Sequence, residues 1–127
     1  MRIYFDTQAI DDEMLKDCVT PKHIADSSAY IEDFANSLGV KPERIIDPTP
    51  FKVKKLAEAY ALMETAKKQS MMNTNGAVEG ADAYELKRRV YAAEIDNLES
   101  QITADTFMGG KAAKKRTFPM SVPLYRR

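Results

Sequence analysis

Few residues in this chain are of types that carry chemistry, and their spacing limits what each can do. His23 is the single histidine and Cys18 the single cysteine. One of each makes no histidine pair for a metal, no multi-cysteine zinc site and no internal disulfide. No His–Cys or Ser–His–Asp set emerges either. His23 falls in the first turn of an expected helix, where a lone histidine is usually a surface residue. Cys18 lies between Leu15 and Val19 and reads as a half-buried small hydrophobe. Gly109-Gly110-Lys111 is followed by Ala112 rather than Ser or Thr, and it lacks an upstream glycine at loop spacing. It is therefore not a phosphate-cradling loop. The acid pairs Asp11-Asp12 and Glu32-Asp33 are adjacent rather than face-sharing, whereas paired catalytic carboxylates need a cleft that separates their pKa values. Solvated acids are expected. No catalysis, metal or cofactor is expected from this inventory.

Two basic clusters remain, Lys87-Arg88-Arg89 and Lys114-Lys115-Arg116. Either can touch phosphates. Acids equal bases at 19 each, and the isoelectric point is about 6.6, which is poor for a free-standing DNA-binding domain. The first triplet reads most simply as an exposed helix face pairing with Glu85 and Glu94. Zero net charge hides a polarity along the chain. Residues 1–40 hold three bases against eight acids, a net of −5, and residues 111–127 hold six bases and no acid. An acidic front and a basic tail point to charged partners, other copies of the chain among them.

These residues must be positioned by a single domain, since 127 residues suffice for one core. Hydrophobic residues at 44% and charged residues at 30% are a globular balance. No apolar run approaches a membrane span, Met1–Asp6 reaches an acid too soon for a secretory signal, and one cysteine fits a reducing cytosol. Arg2-Ile3-Tyr4-Phe5-Asp6 alternates weakly and predicts a short edge strand or an extended arm. Asp11-Asp12-Glu13 ahead of Met14, Leu15 and Cys18 suits the first turn of a short helix. Thr20-Pro21 is a cap followed by a residue pre-set for the first helical position. The helix it opens carries the stripe Ile24, Ser28, Ile31, Ala35, Leu38, and Gly39 is its left-handed stop. Val40–Ile46 predicts one helical turn, and Asp47-Pro48-Thr49-Pro50 a connection. A second long helix is expected from Pro50 to about Met72, with Val53, Leu56, Ala57, Tyr60, Ala61, Met63 and Met71 inward. Asn73–Ala81 reads as a loop. A third long helix is expected from Asp82, with Glu85 completing a capping box, and a stripe of Tyr84, Tyr91, Ile95, Leu98 and Ile102. Tyr84, Tyr91, Met63, Met71 and Met72 fall at helical spacing and read as core or interface rather than a cofactor box. The sum is an all-α chain: a small bundle of three main helices plus a short N-terminal helix, with an extended N-terminal arm and a C-terminal tail. Residues 1–110 form the helical domain and 111–127 the tail.

The helix His23-Ile24-Ala25-Asp26-Ser27-Ser28-Ala29-Tyr30-Ile31-Glu32-Asp33-Phe34 resembles the IxxASxxIxxY helix of tailed-phage head–tail connector proteins, also called adaptor or head-completion proteins. The likeness continues through a Pro-rich connection, the Ala- and Tyr-rich Val53–Leu62 and a polar break. It ends in a last helix that opens Asp82-Ala83-Tyr84-Glu85-Leu86-Lys87 and carries Tyr91, Glu94 and Leu98. It spans roughly residues 10 to 108, with few aromatic residues in the first helix beyond Tyr30 and Phe34. The resemblance implies a structural subunit without catalysis. Such subunits form a homo-oligomeric ring, typically a dodecamer, beneath the portal protein. The ring extends the DNA channel, lets DNA pass without specific binding, and docks a stopper or tail protein. The expected location is the virion head–tail interface, and the host cytoplasm during assembly. The family's C-terminal segments often grip the portal. Here that role falls to Lys114, Lys115, Arg116, Phe118, Met120, Val122, Leu124, Tyr125, Arg126 and Arg127. Pro119 and Pro123 bias that segment to extended geometry. The competing expectation is a small DNA-binding or packaging-associated module that uses Lys87, Arg88, Arg89 and the tail.

Overall fold

The structure, a computed structural model, describes residues 2–72 and 78–109, with backbone alone for 72 and 78–82. Among the described residues four α-helices run in chain order: α1 (Pro21–Ser37), α2 (Phe51–Met72), α3 (Val78–Gln101) and α4 (Ala104–Phe107). A single 3-10 turn, Pro42–Arg44, lies between α1 and α2. Among the described residues there is no strand, so the fold is all-α with three substantial helices. No helix among them is long and apolar enough to cross a membrane.

The two ends of α1 are closed by local chemistry. Thr20 Oγ1 accepts the His23 N–H at 3.3 Å, and His23 Nδ1 accepts the Thr20 N–H at 3.2 Å. This is a reciprocal capping box in which histidine replaces the usual Glu or Gln. At the other end Gly39 adopts φ +83°, the left-handed conformation that costs a Cβ-bearing residue most. The Val40 N–H then reaches Ala35 O at 2.9 Å and the Gly39 N–H reaches Asn36 O at 3.0 Å. Those two bonds satisfy carbonyls that the helix end leaves open.

Helix α2 is the centre of the bundle, with α1 packed on one side and α3 along the other. That is why its buried positions exceed one stripe. Val53, Leu56, Ala57, Ala59, Ala61, Leu62, Thr65 and Ala66 are all buried, and Met71, expected inward, is exposed. Four of those eight are alanines, which let neighbouring backbones come close; Ser27 Oγ of α1 donates to Ala57 O of α2 at 2.7 Å. A column of rings ties the elements together. Tyr30 stacks on Tyr60 with centroids 4.2 Å apart and on Phe34 at 6.3 Å, and Phe107 of α4 meets Phe34 edge-on at 6.0 Å. Offset and edge-to-face geometries of this kind add to plain burial.

Three expectations need correction. Residues 13–18 form hydrogen-bonded turns rather than a helix. Only the Lys16 N–H to Asp12 O bond has helical i+4 spacing there, too little to repay helix nucleation. The N-terminal segment forms no strand; of the two expectations the extended arm remains, and it packs onto the main core through buried Tyr4 and Phe5. Arg2 holds it down by donating to Ile45 O at 2.8 Å, to Ile46 O and to Thr49 Oγ1, with its guanidinium 4.8 Å above the Tyr4 ring. Helix α3 starts at Val78, so Asp82 lies inside it and residues 78–81 are helix rather than loop. Glu85 does not reach back as a cap; it takes Arg88 at 2.7 Å and Arg89 at 3.2 Å.

Candidate functional site

The tail residues expected to meet a partner, Lys114, Lys115, Arg116, Phe118, Met120, Val122, Leu124, Tyr125, Arg126 and Arg127, lie outside the described residues. The other basic cluster is described, and each of its members has an acidic partner within the chain. Arg88 and Arg89 share Glu85, whose carboxyl they hold down to about 2, chiefly through the Arg88 hydrogen bond. Lys87 pairs with Asp12 at 3.0 Å rather than with Glu94. Three cations set against two carboxylates have less free charge to offer phosphates than the triplet's sequence suggests.

Among the described residues Asp12 is the most connected acid. Its side chain is only 3% exposed. Oδ1 accepts the Met14 and Leu15 N–H groups at 3.0 and 3.1 Å, while Oδ2 accepts from Tyr91 O–H and from Lys87. Burial pushes its carboxyl up, but the Tyr91, Lys87 and Leu15 hydrogen bonds outweigh that and bring it below its ordinary value. Beside it lies a hollow of about 190 Å³ lined by Asp11, Lys55, Glu58 and Glu94. Glu58 is pushed up there, first by burial and then by the charges of Asp11 and Glu94. Among the described residues no three His, Cys, Asp or Glu side chains are placed to hold a metal.

The larger groove, about 460 Å³, lies between the start of α1 and the C-terminal half of α2. Lys22, His23, Asp26, Glu64, Lys67, Lys68 and Met71 line it. His23 is not a surface residue: it is 5% exposed, and burial, then the Lys68 charge, lowers its basicity below the ordinary imidazole value. The Thr20-x-x-His spacing carried the signal for its cap role, because an acceptor at the third helical position can close a capping box. No local pattern announces the Asp12–Tyr91 pair, whose members are 79 positions apart. Cys18 is half-buried, as expected of a small hydrophobe.

Comparison with protein families, with curated proteins and with solved structures finds no match for this chain.

Proposed function

We propose that this chain is a structural subunit of a tailed-phage head–tail connector, assembling with further copies into a ring under the portal and joining head to tail. The observation that carries the reading is the distribution of apolar surface on the described residues. The described residues enclose one main core, yet Ile3, Ile46, Phe51, Leu86 and Val90 stay exposed, with Leu86 and Val90 one turn apart on α3. Such side chains suit contact with protein. Beside Leu86 and Val90 on α3, Glu85, Arg88 and Arg89 pair with each other. The three-helix order and the α1 sequence support the connector reading through the resemblance that they carry. The acidic front and basic tail supply complementary surfaces for head-to-tail contacts, which close into rings when the rotation allows. The pairing of Lys87, Arg88 and Arg89 weighs against the DNA-binding alternative.

The test is the mass of the assembly formed when the chain is co-produced with a portal protein from the same genome. Many copies per portal complex are expected. A strictly monomeric or dimeric stoichiometry would refute the ring. Salt-sensitive retention of DNA by the isolated chain would favour the DNA-binding reading instead.

A further inference from the structure

The groove between α1 and α2 holds a feature that neither the cap nor the assembly reading uses. The Thr20 N–H donates to His23 Nδ1 at 3.2 Å, and the Thr20 hydroxyl lies 3.0 Å from the same nitrogen. A backbone N–H can only donate, so Nδ1 is the acceptor nitrogen of the ring. The neutral imidazole therefore carries its hydrogen on Nε2. That nitrogen makes no hydrogen bond among the described residues. It is also absent from the fully enclosed orphan atoms, of which Ser28 Oγ is the described example. His23 lines the groove while being 5% exposed, so an accessible, unpartnered N–H donor sits at the groove's floor.

The surroundings define what that donor would meet. A protonated Nε2 is closed to metal ions, which bind the bare nitrogen. Lys22 and Asp26 neutralise each other at 2.8 Å across one edge. Lys67 and Lys68 on α2 face a single remaining acid, Glu64. The 17-residue α1 also directs the positive end of its dipole here. One fixed donor, two ammonium groups on flexible stems and a helix N-terminus together favour a group that accepts in several directions and carries negative charge. A volume of about 460 Å³ exceeds what a lone carboxylate needs.

We propose that this groove binds a phosphate group, with His23 Nε2–H as the fixed donor and Lys67 and Lys68 as the mobile cations. The phosphate comes either from a small phosphorylated molecule or from a nucleic-acid backbone. The site is independent of ring formation, because all its residues lie on one chain.

Having one histidine makes the test direct. The nitrogen-15 signals of the imidazole are followed in the isolated full-length chain at pH 7.5 and constant ionic strength. Inorganic phosphate should shift the Nε2 signal saturably, and chloride should not. The double variant Lys67→Gln/Lys68→Gln replaces two exposed side chains and should keep the helical spectrum. It should bind roughly tenfold more weakly, the scale of one charge-assisted hydrogen bond. A short DNA duplex in place of inorganic phosphate separates the sources: the same shift with duplex alone assigns the phosphate to nucleic acid. No saturable shift with either probe, or an equal affinity in the double variant, overturns the proposal.

Discussion

At the scale of single residues, His23 joins helix capping to pH. Its imidazole is held below the ordinary value of 6.5 by burial and then by Lys68, with Lys22 and Asp26 on α1 and Glu64 on α2 also facing it. The unfolded chain thus takes up a proton before the folded one does. Folding stability should fall as pH drops from about 6.5 toward the folded value, and level off below it. Glu58, whose carboxyl is raised, contributes with the opposite sign. The comparison that isolates His23 is with His23→Gln, since glutamine retains the acceptor of the capping box without titrating. Urea denaturation at pH 7.5 and 5.5 should show the pH-dependent loss shrinking in the variant. Thr20→Ala should cost about 1 kcal/mol at either pH, through the lost cap. Asp12 acts with the same sign as His23, in a lower pH range. Its carboxylate is lowered, so its contribution is present above the ordinary carboxylate range and is lost as pH falls through the folded value. Asp12→Ala should destabilise the chain by roughly 2–3 kcal/mol at pH 7, through charged hydrogen bonds to Tyr91, Lys87 and two backbone amides. That penalty should shrink on acidification, and a denaturation series from pH 7 to 3 reads it.

At the scale of elements, the short α4 matters more than its four residues suggest. Phe107 is completely buried, packs edge-on to Phe34, and its carbonyl accepts the Ile46 N–H at 3.0 Å. The C-terminal turn thereby closes the core over the α1–α2 connection. Gly109 follows with φ +86°, and a Cβ there would stand 3.0 Å from Ile46 Cδ1. Phe107→Ala should cost about 3–5 kcal/mol, measured by thermal or urea unfolding. A loss under 1 kcal/mol would mean that α4 is not part of the cooperative fold. The buried alanines of α2 make the converse prediction. Ala61→Leu adds three carbons at a completely buried position and should destabilise by about 1–3 kcal/mol in the same assay.

At the scale of the whole molecule, the question is how a net-neutral chain with a −5 front and a +6 tail meets its partners. Under the connector reading, the tail residues from Lys111 to Arg127 steer to an acidic surface, and Phe118, Met120, Val122, Leu124 and Tyr125 anchor it. Among the described residues the buried core runs from Tyr4 to Phe107, and deleting 111–127 is expected to leave helix content and unfolding temperature unchanged. The same deletion should abolish co-purification with the portal. Normal docking of the truncated chain would remove the tail from the interface.

The helical class, the Thr20-Pro21 start of α1, its stop at Gly39 and the end of α2 near Met72 were legible in the residues alone, because capping and glycine conformation are local effects of a few side chains. Of the expected stripe Tyr84, Tyr91, Ile95, Leu98 and Ile102, the last three are buried and the two tyrosines half-buried. Tertiary structure alone decided the rest. It buried α2 on more than one face by placing that helix between two others, which no single-helix pattern encodes. It drew Tyr4 and Phe5 into the core, because Arg2 finds three acceptors more than 40 positions away. It turned Asp11–Cys18 from a helix into turns, because Asp12 is drawn to Tyr91 and Lys87 across the bundle. It put His23 at the floor of a groove that forms only when α2 packs against the start of α1.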